Sequence, residues 1–117
     1  MDELINETVK ISRKYFKELS FEDEQITSLI ESGKRDLTKE LTKLQKLFES
    51  EIIDITAVNL SLHALKGLFL TMGNIKIGNM FDELHNENDN SRIITEIMRL
   101  LDISNDRVSF NAKETNL

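Results

Sequence analysis

The chain has 117 residues, with 15 Lys and Arg against 21 Asp and Glu, a formal net charge of −6, no cysteine and no proline. That length fits a single domain that buries roughly two thirds of its unfolded surface around one core. Without cysteine there are no disulfides or thiolate metal sites, and the acidic balance argues against a nucleic-acid binder, which needs clustered positive charge. Hydrophobic residues make up 39% and charged residues 31%, with only four glycines, a balance that favours helices over a turn-dense β fold. No apolar run approaches the roughly 20 residues that span a bilayer. The start Met1-Asp2-Glu3-Leu4 lacks the basic residues and apolar stretch of a signal peptide. A cytoplasmic protein with no membrane partner is the expectation, and the lack of cysteine is compatible with it.

Residues 2–19 place Ile5, Val9, Ser12 and Phe16 in one stripe, with Leu4, Ile11, Tyr15 and Leu19 beside it, which is helical spacing. Ser20 followed by Asp23 resembles a capping box and predicts a long second helix over residues 21–49. Its stripe is Ile26, Leu29 and Ile30, Gly33, Leu37, Leu41, Leu44 and Phe48. A connection over residues 50–54 leads to a third helix over 55–72, with Asp54 as N-cap and Gly73 as its stop. A fourth helix over 75–86 carries Ile77, Met80, Phe81 and Leu84. The polar run 86–90 then reads as a loop before a last helix over 91–103, marked by Ile93, Ile94, Ile97, Leu100 and Leu101. These elements predict an all-α chain: an antiparallel four-helix bundle with an additional N-terminal helix, joined by short connections. One domain is expected over residues 1–104, with 1–19 as an accessory helix and 105–117 as a flexible tail.

At ~100° per residue the third helix divides into two faces. Val58, Leu62, Leu65, Phe69 and Met72, flanked by Ser61 and Leu68, form the side that seals against the bundle. Thr56, Asn59, Leu60, His63, Lys66, Gly67 and Leu70 form the other, so His63 is expected to face solvent. A lone histidine on a helix is most often surface decoration. Three neighbours set this one apart. Gly67 stands mid-helix, where glycine costs roughly 1 kcal/mol relative to alanine and needs a packing or approach reason. Lys66 places a cation beside any charge added to the imidazole. Leu60 and Leu70 leave apolar side chains for a docking surface.

His63-Ala64-Leu65-Lys66-Gly67, followed by Met72-Gly73, resembles the His-x-Leu-Lys-Gly…Leu-Gly signature of histidine-containing phosphotransfer (HPt) domains. Ile77, Met80 and Leu84 fall where that family places apolar residues of the next helix. The resemblance extends over residues 22–104 in architecture and 58–85 in detail. It implies that His63 accepts a phosphoryl group through Nε2 from the aspartyl phosphate of a receiver domain, which brings its own Mg²⁺, so that no cofactor is bound by this chain. Such transfer depends mainly on positioning and charge neutralisation. Lys66 would stabilise the phosphoryl oxygens, and Gly67 would let the receiver approach. Asn59, Leu60 and Leu70 would contribute to docking. The implied partners are the receiver domains of a hybrid histidine kinase and of a response regulator, met by a monomer without kinase activity of its own.

Two positions depart from the family pattern. Leu68 and Phe69 replace small residues after the glycine, but both lie toward the core. His85 stands where family members often carry a Gln or Glu that binds the second nitrogen of the acceptor imidazole. His85 either holds Nδ1 of His63 in that way or is a polar residue suited to a helix C-terminus; two imidazoles alone make a poor metal site, so no metal ligands are assigned. A different class of function is a helical interaction module that binds a receiver without phosphotransfer. The acceptor portion of a chemotaxis-type kinase fits less well. That family often has His and Glu where this chain has Asp82 and His85, and there is neither room for an ATP-binding domain nor a Gly-rich phosphate loop.

Overall fold

The computed structural model describes residues 1–101, in which five helices follow one another: α1 Asp2–Glu18, α2 Asp23–Glu49, α3 Ile55–Thr71, α4 Ile75–His85 and α5 Asn90–Leu101. No strand occurs among the described residues. The expected helix end at Ile103, the domain limit at residue 104 and the flexible tail over 105–117 lie outside them.

Helix α1 turns Ile5, Thr8, Ser12 and Phe16 inward. It ends at a residue assigned above to the start of α2. Ser20 adopts φ 67°, its N–H donates to Lys17 O at 2.9 Å, and the Phe21 N–H donates to Phe16 O at 3.1 Å. This pair of bonds closes a helix through a left-handed residue. A residue in that conformation cannot also serve as an N-cap, which needs extended backbone. The cap therefore shifts to Glu22, whose N–H donates to Gln25 Oε1 at 3.0 Å, and α2 begins at Asp23. The α2 stripe is buried at Ile26, Ile30, Leu37, Leu41, Leu44 and Phe48, whereas Leu29 lies on the rim at 38% exposure.

Helix α3 starts and stops as its residues predict. Asp54 Oδ1 accepts the Ala57 N–H at 3.2 Å. At the other end Gly73 takes φ 83°, and the Gly73 and Asn74 amides donate to Leu70 O and Phe69 O. A Cβ on Gly73 would stand 2.3 Å from the Tyr15 ring, so the turn needs glycine for both its backbone angle and its bare surface. Asn74 Oδ1 accepts the Ile77 N–H at 3.3 Å and caps α4. The loop after α4 is one residue shorter than expected. Asp89 Oδ1 accepts the amides of Ser91 and Arg92, which draws Asn90 into α5.

One core gathers Leu37, Leu41, Leu44, Phe48, Val58, Leu62, Leu65, Phe69, Phe81, Ile93 and Ile97, and α1 contributes Ile5 to it. Phe16, Ile26 and Ile30 make a smaller cluster between α1 and α2. Helices α2 and α3 run antiparallel. Ser61 Oγ donates to Glu40 at 3.1 Å while Met72 packs over Gly33, which sets α3 against α2. Helix α1 is fastened to the α3–α4 turn by buried polar groups. Asn74 Nδ2 donates to Thr8 Oγ1 at 2.9 Å, and the Ser12 hydroxyl lies 2.7 Å from Met72 O. Thr8, Ser12 and Asn74 are almost fully buried, so each bond is made in a medium where an unpaired group would cost about 1–3 kcal/mol.

Candidate functional site

The α3–α4 hairpin builds the site. Its register is fixed by Phe69 and Phe81, stacked with centroids 5.4 Å apart and rings within 8° of parallel. Leu70 Cδ2 would lie 2.5 Å from a Cβ on Gly78, so the two helices approach closely there. His63 and His85, Lys66 and Asp82, and Leu70 and Gly78 are each symmetric about Asn74 in the sequence. In an antiparallel hairpin turning at Asn74, each such pair comes face to face.

The inward side of α3 is Val58, Leu62, Leu65 and Phe69 at zero exposure, with Met72 at 3% and Ser61 at 1%. His63 and Gly67 are exposed on the opposite side, one turn apart. The His63 ring lies 5.3 Å from the His85 ring, centroid to centroid, at an interplanar angle of 42°. No hydrogen bond joins the rings, and His85 Nδ1 is buried without a partner. Asn59, one turn before His63, has its Oδ1 buried and unpartnered in the same way. Two polar atoms near His63 are thus buried without a hydrogen-bond partner among the described residues.

Lys66 Nζ lies 2.9 Å from Asp82 Oδ1, with the two side chains about a third exposed at 32% and 40%. The Lys66 hydrogen bond, helped by the nearby charges of Lys66 and His85, holds the Asp82 carboxyl below the usual carboxylate range. Asn86 Nδ2 adds a long contact of 3.4 Å to the same oxygen and a shorter one of 2.9 Å to Asp82 O.

Gly67 answers the question its position poses. A Cβ built on it meets nothing within 4 Å. Packing within the described residues therefore gives no reason for glycine at a helical position where alanine is favoured by about 1 kcal/mol.

The proposed docking residues separate. Leu60 stands open at 69% exposure, Asn59 is half-buried, and Leu70 leans onto Gly78 instead of facing solvent freely. The wheel placed Leu70 outward because it treats α3 as isolated, whereas a glycine on α4 opens a seat for it. Asp82 is the site residue that sequence reasoning passed over, entering only as a departure from another family's pattern. Its signal was the symmetry of Lys66 and Asp82 about the α3–α4 turn.

No group of three or more His, Asp or Glu side chains among the described residues is placed to hold a metal ion. No helix of the described residues is long and apolar enough to cross a membrane. In comparisons with known proteins, no family model, no curated protein and no solved structure matches the chain.

Proposed function

We propose that this chain is a histidine phosphotransfer protein, an HPt-like antiparallel bundle in which His63 takes a phosphoryl group from one receiver-domain aspartate and gives it to another. The observation that carries the reading is Gly67, bare and unobstructed one turn from an exposed mid-helix imidazole. A helix that gives up stability to keep its surface flat beside a nucleophile is suited to a large partner whose reacting atom must reach that nucleophile.

The chain's own residues supply position and charge. The His63 lone pair at Nε2 attacks phosphorus as the aspartyl P–O bond breaks and the carboxylate leaves with the electron pair. The His63 ring keeps its proton on Nδ1 through this step. Lys66, one turn along the helix, offers its ammonium to the phosphoryl oxygens. His85, whose ring lies 5.3 Å away, takes the Nδ1 side of His63 as a partner once a small rotation brings the rings into hydrogen-bond reach. Asn59 and Leu60 meet the docked receiver on the turn before His63. The protein acts in the cytoplasm as a monomer, between the receiver of a hybrid kinase and that of a response regulator. It has no kinase activity of its own.

The test is transfer from a phosphorylated receiver to the full chain. Alkali-stable, acid-labile label on the wild type and none on His63→Gln is the expected result. Label that survives in His63→Gln removes His63 from the mechanism. Tight binding of the receiver without label on either protein replaces the relay with a pure interaction module.

A further inference from the structure

Resting on the phosphotransfer reading, we propose that Asp82 is a positioning residue that sets the phosphoryl-transfer potential of His63 by holding part of the Lys66 charge away from it. Three observations meet at this side chain. Its carboxylate lies 2.9 Å from the one ammonium placed a turn from His63 on α3. It occupies the turn of α4 before His85, whose ring faces His63. Asn86, the C-cap of α4, donates Nδ2 to the Asp82 main-chain oxygen at 2.9 Å and approaches its Oδ1 at 3.4 Å.

The consequence is a matter of charge. A relay intermediate must hold a phosphoryl group tightly enough to take it from one aspartate and loosely enough to surrender it to the next. A free lysine beside His63 would stabilise the dianionic product without restraint and make the phosphohistidine a sink. Asp82 prevents this. In the resting protein it neutralises Lys66, and in the phosphorylated protein it competes with the phosphoryl oxygens for the same three N–H donors. Phosphohistidine is thereby kept at a level from which onward transfer is downhill.

The measurement uses phosphoramidate as the donor, which needs no partner protein. Its P–N bond breaks and ammonia leaves with the electron pair, while the Nε2–P bond of His63 forms and Nδ1 keeps its proton. At a fixed ratio of phosphoramidate to ammonia, the phosphorylated fraction read by ³¹P NMR gives the transfer equilibrium. Asp82→Asn is expected to shift that equilibrium about three- to tenfold toward phospho-His63, the scale of one unit charge acting through partly solvated surroundings. Asp82→Ser, run alongside, must move in the same direction, and Asp82→Glu, which keeps the charge, must return to the wild-type value. In a Lys66→Ala background the Asp82→Asn shift must shrink to less than twofold, because the effect runs through Lys66.

A wild type labelled on His63 with an unchanged or lowered equilibrium in Asp82→Asn overturns the role of Asp82 alone. So does a shift that persists undiminished without Lys66. A wild type that takes no label on His63 overturns the phosphotransfer reading, and this inference with it.

Discussion

The two ends of the α3–α4 hairpin treat polar groups in opposite ways. At the closed end, Asn74 caps α4 and makes a buried bond to Thr8 of α1, next in the chain to the buried bond between Ser12 and Met72 O. At the open end, His85 Nδ1 and Asn59 Oδ1 are buried but paired with nothing among the described residues, and His63 stands exposed beside the His85 ring. The glycines divide likewise. Gly73 is pressed against the Tyr15 ring and held at positive φ, while Gly67 has open space above it. Where the chain must hold itself together, its polar atoms and bare backbone positions are used up internally. At the open end two polar atoms are left without a partner inside the described chain.

Substitutions should split along the same line. His63→Gln should abolish phosphorylation altogether while changing stability by less than about 0.5 kcal/mol, since an exposed side chain with no hydrogen bond is removed. Urea unfolding beside the transfer assay checks both halves. Asn74→Ala should do the reverse. It deletes an N-cap and leaves the buried Thr8 hydroxyl without its donor, for a loss of about 2–3 kcal/mol. Transfer per folded molecule should be unchanged. A stable Asn74→Ala protein would break the comparison, because the closed end would then not be what holds α1 to the hairpin.

Gly67→Ala sharpens the comparison further, because stability and function should move in opposite directions. The added methyl meets nothing in the free chain and improves helix propensity, so the protein should gain about 0.5–1 kcal/mol. Transfer from a receiver should slow by at least about tenfold, as a 1 Å displacement of the reacting atoms can cost more than that. Unimpaired transfer by a stabilised variant would leave the glycine without its approach role.

Much of this division was legible in the residues themselves. The burial of Val58, Leu62, Leu65 and Phe69 and the exposure of His63 follow from a 3.6-residue period, which depends only on local geometry. The ends of α3 followed from Asp54 and Gly73, whose capping chemistry is also local. What escaped was set by neighbours in space. Ser20 looks like a start signal until the end of α1 claims it for a left-handed stop. Leu70 looks outward until Gly78 makes room beneath it. Thr8 has no apolar character to mark it, yet it lies fully buried because Asn74 reaches it across the turn. Asp82 needed the hairpin register to be seen as the partner of Lys66.

The smallest expected effect concerns that pair and its dependence on pH. The folded Asp82 carboxyl titrates below its unfolded value of ~3.9, with the Lys66 hydrogen bond as the main cause. A depressed folded value means that the carboxylate stabilises the native state fully above the unfolded value. That contribution is lost as pH falls through the folded one. The stability difference between wild type and Asp82→Asn should therefore be flat from pH 7 to about pH 5 and narrow only below about pH 4. Because both side chains are partly exposed, added salt should shrink it. A difference that does not narrow even below about pH 4 would mean that the Asp82 carboxylate does not carry it.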